Sequence, residues 1–517
     1  MPISLIACVA IYKNQLAIGH DDNLLFKLKE DMRFFKNITS AQINNNLNVC
    51  VMGRNTYESI PDAYRPLSNR INIVLTNDSS KLIKTNFKDL FNKKNAKKSL
   101  TSEQPYYMKF EDFALYYKEH TYLNVFIIGG SRIYNIFLNP ILMKVWVSYP
   151  LTPTKLYITH VLDVKKSDFA IEPNKFMDNF DNSYKLISYS NLMTDNGKKF
   201  RFLTYNLNTC LDADETYKRL MKDIIKNGIV CKNRTGIDTR SIIGAKMEFD
   251  ISQSIPLMTT RQIPFKTIVE ELLWFCRGDT DAKILQARGV NIWNGNTSRE
   301  FLDSRGLQHY PEGVLGAGYG FQWRHFGAQY SSDYADMSKL SSKERQNIGG
   351  IDQLENLVHL LKTDPFSRQI VLSVWNPCDL DKVALPPCHP YLQFLVRYDA
   401  NNINKNDKKI LNCVFFMRSS DSLAWSYNVV SYSILTYILA LKCNMKPGTI
   451  TYMAGDCHIY INHLKQIKDQ MSRTPRPAPK LYLDKSIKVK DWSEITTDDI
   501  SIIGYFPHSS IKMDMAI

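Results

Sequence analysis

The constraint that bears hardest on this chain is a rhythm in its first 130 residues. Short apolar runs rich in β-branched residues, at 3–11, 47–52, 71–76 and 123–128, alternate with polar or amphipathic stretches such as 31–38 and 131–138. Runs of that length and composition suit buried strands. Strand, crossover, strand is the grammar of an α/β domain with a largely parallel sheet. The rhythm ends near residue 207, and a helical run follows at 215–227. Beyond it, helical segments at 265–277 and 431–442 mix with strands at 369–375 and 392–398, an α+β pattern with many loops. Two domains are therefore expected, 1–206 and 214–517, with a short junction at 207–213. A Lys/Asn-rich stretch at 79–120 reads as an enlarged surface connection rather than core.

Of the 517 residues, 44% are apolar and 22% charged, the mix of a chain that folds around real cores. No run approaches the ~20 apolar residues that a membrane span needs. Met1-Pro2-Ile3-Ser4 offers neither a basic n-region nor a cleavage site. Ten cysteines stand singly, with no CxxC pair, which argues for a reducing compartment and against a metal site or a disulfide framework. A cytoplasmic protein is expected, in the host cytoplasm if the source is viral. The net charge is +14, with +9 in residues 1–206. Seven lysines fall between Lys81 and Lys98 against one acid, Asp89. Aromatics do not interleave them regularly, so a solvated insertion explains the cluster better than a nucleic-acid surface does. The excess also suits anionic small substrates.

Gly129-Gly130 follow the strand at 123–128 and precede a helix, so the backbone there can approach a pyrophosphate. A tight turn would use the same pair. Gly53-Arg54-Asn55-Thr56 also follows a strand and offers backbone N–H groups, a hydroxyl and a guanidinium. Two such turns after parallel strands point to a dinucleotide. Asp31 and Phe35 lie one helical turn apart on one face. An acid at a helix start is commonly a dipole partner; beside an aromatic in an apolar cleft it can bind and help protonate a flat nitrogenous ring.

Residues 3–8, Gly19-x4-Leu24-Leu25-Phe26, Asp31-x3-Phe35, Gly53-Arg54-x-Thr56-Tyr57-Glu58-Ser59-Ile60, Arg70 and Ile128-Gly129-Gly130-x3-Tyr134 resemble dihydrofolate reductase. The resemblance covers nearly all of 1–206. It implies that Asp31 binds the pterin, that Phe35 packs on the pterin and benzoyl groups, and that Arg70 pairs with the folate α-carboxylate. It also implies that Cys8, Ile18, Gly19, Gly53, Arg54, Asn55, Thr56, Thr76, Gly129, Gly130, Ser131, Arg132 and Ile133 line NADPH. Where the family has Leu-Pro-Trp, this chain has Leu24-Leu25-Phe26, without the rigid proline and the indole N–H. Two stretches, 144–149 and 155–160, resemble the strand that carries the active-site hydroxyl. They offer Ser148 and Thr159, and the spacing to Asp168 favours Thr159.

In the second half the sharpest local signal is Leu385-Pro386-Pro387-Cys388-His389. A thiol nucleophile needs a lowered pKa from nearby cations or donors. Arg234 with Thr235, Arg368 with Ser367 and Arg418 with Ser419 each pair an arginine with a hydroxyl, a combination suited to phosphate and to a thiolate. These pieces resemble thymidylate synthase from about Asp214 onward. Further support lies in Glu270-Glu271-Leu272-Leu273-Trp274-Phe275, Tyr319-Gly320-Phe321-Gln322-Trp323-Arg324, Gly455-Asp456-Cys457-His458-Ile459-Tyr460 and Met515-Ala516-Ile517. The resemblance implies Cys388 as nucleophile toward dUMP and Glu271 and Tyr319 in proton transfer. Arg234, Arg418, Ser419 and the partner subunit's Arg368 would hold the phosphate. His389 and Asn428 would bind the nucleotide, with Asn428 on the uracil ring, and His458 and Tyr460 would hold the deoxyribose hydroxyl. Asp421 would sit between nucleotide and folate pterin, and Trp293 would pack on the folate.

Gln369 and Met417 replace the family's usual arginine and glutamine, and 421–428 is one residue short without a glycine-rich segment. A weaker phosphate grip and an altered folate pocket are expected. Taken together, the chain resembles the bifunctional reductase–synthase family. That implies NADPH, with 5,10-methylenetetrahydrofolate as cosubstrate, and a homodimer through the synthase domain. Two other readings stand beside it. A deoxycytidylate hydroxymethylase-like relative would carry an acid where this chain has Asn428. An RNA-binding regulator with impaired sites would draw only on the lysine run.

Overall fold

A computed structural model of the chain describes residues 3–21, 23–41, 47–82, 104–119, 124–138, 151, 153–169, 171–180, 184–207, 213–233, 236–398, 409–423 and 425–513. It divides into two compact units, Met1–Cys210 and Leu211–Ile517.

The first unit is built on one sheet of β1 (Ile3–Tyr12), β2 (Gln15–His20), β3 (Asn23–Leu24), β4 (Asn48–Gly53), β5 (Arg70–Leu75), β6 (Pro105–Met108), β7 (Val125–Gly129), β8 (Lys155–Val161), β9 (Lys175–Met177), β10 (Tyr184–Tyr189), β11 (Met193–Asp195) and β12 (Lys198–Leu207). Its main path runs β10-β12-β8-β1-β7-β4-β5-β6. From β8 to β6 every neighbouring pair is parallel; β12 closes one side antiparallel to β8 and β10. Buried on both faces, β1, β4 and β5 read in the sequence as near-continuous apolar runs, interrupted by Ser4, Asn48, Arg70 and Asn72. Helices α1 (Lys29–Ser40), α2 (Arg54–Ser59), α3 (Phe110–Glu119) and α4 (Ser131–Leu138) fill the crossovers.

One expectation is corrected here. The 79–120 stretch is not all surface connection. β6 extends the sheet from β5, and α3 buries Phe113, Ala114, Tyr116 and Tyr117. The lysine-rich residues 83–103 lie outside the described residues, as do Ser148 and most of the junction.

The second unit carries a six-stranded sheet, β13 (Ile229–Cys231), β14 (Thr239–Asp250), β15 (Val371–Ser373), β16 (Tyr391–Tyr398), β17 (Lys409–Asp421) and β18 (Lys446–Tyr460), in the order β13-β14-β18-β17-β16-β15. Among the described residues, β17 and β18 are the one parallel pair of this sheet. Beyond the exposed Ile243-Gly244 pair β14 alternates, with Ala245, Met247 and Phe249 inward and Lys246 and Glu248 outward, as a half-buried strand does. Around this sheet lie α5 (Ala213–Asn227), α6 (Phe265–Arg277), α7 (Tyr319–His325) and α8 (Trp425–Lys442). α8 begins six residues before the expected 431, so Asn428 sits on a helix. Trp425, Ser426, Val429 and Val430 are buried on several sides, which erases the amphipathic period that marks a helix start. Trp274, Trp323 and Trp425 are fully buried in this core. No helix among the described residues is long and apolar enough to cross a membrane.

Candidate active sites

In the first unit, α1 places Asp31, Phe35 and Thr39 at i, i+4 and i+8 on one face. Asp31 is 6% exposed, and its Oδ1 accepts the Thr159 hydroxyl at 2.5 Å. Cys8 stands opposite Thr159 in the β1–β8 register, and its thiol also bonds to Asp31. Burial raises the Asp31 carboxyl above its usual range, while the Thr159 and Cys8 bonds hold it down. Burial, with the Asp31 charge beside it, pushes the Cys8 thiol well up. Farther along the face, Arg70 donates to Thr39 Oγ1 at 2.9 Å and to Ser68 O at 2.9 Å, and its guanidinium lies 5.9 Å from the Phe35 ring centre. An aromatic wall, a buried acid and a buried cation thus line one helix face. Leu24 is exposed, and Phe26 packs against Phe169 instead. Asp168 pairs with Lys198 at 2.7 Å.

The two glycine turns meet. β4 and β7 are parallel neighbours, so Gly53-Arg54-Asn55-Thr56 and Gly129-Gly130 leave the sheet side by side. A Cβ on Gly129 would lie 3.0 Å from Thr56 Cγ2, one on Gly130 2.8 Å from Thr56 Oγ1, and one on Gly53 3.1 Å from Ile133. Gly129 also has φ +145°, a conformation glycine alone adopts freely. The turns pack at a distance that excludes any side chain on the glycines, and α4 starts at Ser131 immediately beyond. Arg54 pairs with Asp78 at 3.2 Å, Thr76 Oγ1 accepts the Asp78 N–H, and Ser131 Oγ donates to Phe176 O. Asn55 and Arg132 are exposed. Ile18 and Gly19 lie on β2, where a Cβ on Gly19 would sit 2.8 Å from Asn23 O.

In the second unit, Cys388 lies where three elements converge. Its backbone N–H donates to Tyr319 Oη on α7 at 2.7 Å. Arg418 on β17 donates through Nε to Pro387 O at 2.8 Å and through Nη2 to Pro386 O at 2.9 Å. The same Nη2 reaches Cys388 Sγ at 3.8 Å. A guanidinium locked to the two prolines and touching the sulfur favours thiolate. On α6, Glu271 Oε1 accepts the Trp293 indole N–H at 2.8 Å, and burial raises its carboxyl to about 7. Burial also raises Tyr319 well above its usual range, so it stays a phenol. His389 stacks on Tyr319 with ring centres 4.3 Å apart, and burial lowers its imidazole to about 3.

The parallel register of β17 and β18 sets Ser419 beside Asp456 and Asp421 beside His458. His458 Nδ1 meets Asp456 Oδ1 at 3.0 Å, and the Tyr460 ring lies edge-on to His458. Asp421 accepts the Leu423 N–H and the Ser422 hydroxyl. Asn428 Nδ2 faces Met417 Sδ at 3.6 Å. Arg368 and Gln369 are exposed on the turn before β15, and no hydrogen bond or ion pair among the described residues ties Arg368 to Cys388. Arg234 and 515–517 lie outside the described residues. Two residues of this site went unnoticed in the sequence. The Trp375 ring lies under Arg418, at 5.7 Å, and the Tyr432 hydroxyl meets His389 Nδ1. Tyr432 is i+4 from Asn428, a signal open only to a reader who starts α8 at Trp425.

Comparison with known proteins accords with this geometry. Residues 4–207 match the family model described as dihydrofolate reductase, and 215–517 the one described as thymidylate synthase. The chain is 36% identical to a bifunctional dihydrofolate reductase-thymidylate synthase of Paramecium tetraurelia, over 97% of this chain and 96% of that one. It is 34% identical to bifunctional dihydrofolate reductase-thymidylate synthase 2 of Arabidopsis thaliana (100% and 89%). A protein of the same description from Leishmania major is 33% identical (97% and 93%).

Proposed function

The chain belongs to the family of bifunctional dihydrofolate reductase–thymidylate synthases, and we propose that Cys388 and Asp31 are the centres at which its two units do that family's chemistry. It converts dUMP and 5,10-methylenetetrahydrofolate to dTMP and dihydrofolate, and reduces dihydrofolate to tetrahydrofolate. The product of one unit is the substrate of the other.

In the synthase, the Cys388 thiolate adds to carbon 6 of dUMP, and carbon 5 becomes nucleophilic. Carbon 5 takes the methylene of the folate and then loses its proton. Hydride from the folate completes the methyl group, and the Cys388–carbon bond breaks to release dTMP and dihydrofolate. Arg418, 3.8 Å from the sulfur, stabilises the thiolate. Glu271, near 7, can both take and return a proton at neutral pH, and Tyr319 relays alongside it. Arg418, Ser419, Arg234 and the partner subunit's Arg368 hold the phosphate. Asn428 and His389 hold the base, and His458 and Tyr460 the sugar. Trp293 and Asp421 face the folate.

In the reductase, Asp31 binds the pterin and passes a proton to it, Phe35 packs on the pterin and benzoyl groups, and Arg70 pairs with the folate carboxylate. The glycine cradle at Gly53, Gly129 and Gly130, too tight for side chains, fits a dinucleotide pyrophosphate. Arg54, Asn55, Thr56, Thr76, Ser131, Arg132 and Ile133 surround it, and Cys8, Ile18 and Gly19 complete the lining. NADPH, when bound there, supplies the hydride.

A homodimer through the synthase unit is supported by one row across its sheet. Lys246, Met453, Phe416 and Tyr391 are consecutive cross-strand partners, and all four are exposed. A second copy covering that row would bury three large apolar side chains and bring Arg368 in trans.

The convergence of Arg418 and Tyr319 on Cys388 is the observation that carries the reading. Purified protein is given dUMP and methylenetetrahydrofolate, then NADPH, while absorbance follows dihydrofolate formation and NADPH loss. Cys388→Ala should abolish the first stage, with NADPH loss restored by added dihydrofolate, and Asp31→Ala should abolish the second stage alone. Dihydrofolate formation by Cys388→Ala would overturn the assignment. Sedimentation of Phe416→Lys should show a monomer without synthase activity.

A further inference from the structure

His389 follows the nucleophile directly, is buried, and faces no charged partner among the described residues. Its one hydrogen bond among the described residues joins Nδ1 to the Tyr432 hydroxyl, which arrives from the second turn of α8. That hydroxyl in turn has no other partner among the described residues, and the Tyr432 side chain is 1% exposed. The bond can be made in two ways. If Nδ1 carries the hydrogen and donates, the buried phenol proton has no acceptor. If the phenol donates, both groups are satisfied and the imidazole hydrogen is forced onto Nε2. A buried donor without an acceptor is the costly arrangement, so the second wins. Burial holds the phenol well above its usual range and the imidazole at about 3, so neither ionises and the choice is between two neutral tautomers.

We infer that Tyr432 is a positioning residue that fixes His389 in the Nε2–H tautomer, so that the ring offers a donor edge to the pyrimidine bound beside Cys388. The nucleotide part rests on the synthase reading above; the tautomer does not. A donor edge suits the carbonyl of uracil, an acceptor, and meets the amino group of cytosine as a second donor. Tyr432 therefore contributes to base choice without touching the base. The Tyr319 ring, stacked on His389 and accepting the Cys388 N–H, keeps the imidazole plane from rotating away.

The test is made on the full-length protein without nucleotide. Long-range proton–nitrogen NMR of histidine-labelled enzyme, assigned with His389→Asn, reads which ring nitrogen carries hydrogen. Wild type should show Nε2–H alone, and Tyr432→Phe a mixture or Nδ1–H. Equilibrium titration with dUMP and with dCMP should then show the preference for dUMP falling on the order of tenfold in Tyr432→Phe, one hydrogen bond's worth. In the His389→Asn background, Tyr432→Phe should change nothing further. An Nδ1–H or mixed tautomer in wild type overturns the inference, as does a Tyr432→Phe protein with unchanged tautomer and preference. Should Tyr432→Phe not fold, the wild-type spectrum still decides. If dUMP binds elsewhere, the titrations fail while the tautomer stands, which separates the two claims.

Discussion

Replacing Thr159 by valine tests the reductase site at its most sensitive bond. The change keeps the shape of the side chain and removes the hydroxyl that donates to Asp31 Oδ1 at 2.5 Å. Burial raises Asp31, and the Thr159 and Cys8 bonds oppose it, so losing one of them must raise the carboxyl further. A hydrogen bond to a charged group is worth about 1.5–3 kcal/mol, and one pH unit corresponds to about 1.36 kcal/mol. The expected displacement is roughly one to two pH units upward, less whatever the Cys8 thiol makes good. With Asp31 proposed as the proton source for the pterin, the alkaline limb of kcat/KM for dihydrofolate should move up by that amount. Stability carries the same sign. A carboxyl raised in the folded state contributes stability below its unfolded pKa and loses it as pH rises through the folded value. In Thr159→Val that loss should extend to higher pH, visible as a Tm that keeps falling where wild type has levelled. Thr159→Ser, which keeps the donor, should behave as wild type. An unmoved limb, a limb moved toward acid, or a serine variant indistinguishable from valine would refute the reasoning.

Gly130→Ala should raise KM for NADPH at least tenfold with kcat for bound substrate largely kept, because the new Cβ would sit 2.8 Å from Thr56 Oγ1; adding Thr56→Ala should recover part of it. Arg418→Lys keeps the charge but loses the fork that grips Pro386 and Pro387. Synthase kcat/KM should drop at least tenfold, about 1.4 kcal/mol, and the midpoint pH of Cys388 alkylation should rise. Trp293→Phe removes the donor to Glu271, so a carboxyl already near 7 rises further; the Glu271-dependent limb of the synthase pH profile should move up by about one unit. Gln369→Arg should tighten dUMP binding several-fold at low salt, with the gain fading as ionic strength rises, since the position is exposed; unchanged affinity at low salt would count against a weakened phosphate grip.

Where burial leaves a local pattern that its surroundings do not mask, the sequence shows the element; where it does not, the element is hidden. β1, β4 and β5 were legible because parallel strands covered on both faces are apolar along most of their length. Asp31 and Phe35 were legible because helical spacing puts them on one face. α3 was hidden although Phe113, Tyr116 and Tyr117 have helical spacing, because the lysines of 83–98 dominate the composition around it. α8 was shortened because a helix buried on all sides loses its period. Trp375 and Tyr432 were missed for a different reason. Each acts on a residue 43 positions away, and no local pattern encodes that distance.

The departures from family pattern also change meaning once placed. Met417 reads in the sequence as the loss of a hydrogen-bonding glutamine. In the fold it is buried against Asn428, whose Nδ2 faces its sulfur at 3.6 Å. A glutamine amide can donate or accept, so it would tolerate either orientation of Asn428. A thioether can only accept, and weakly, so it favours the orientation with Nδ2 toward Met417 and Oδ1 away from it. Tyr432 imposes the same kind of order on His389. Both side chains proposed to hold the base are thus oriented by a buried neighbour that can play one hydrogen-bonding role only. The substitution loses bond strength but keeps a defined orientation of the Asn428 amide; an acceptor edge alone takes a hydrogen from uracil N3–H or from a cytosine amino group, so the choice of base falls to the donor edge inferred for His389.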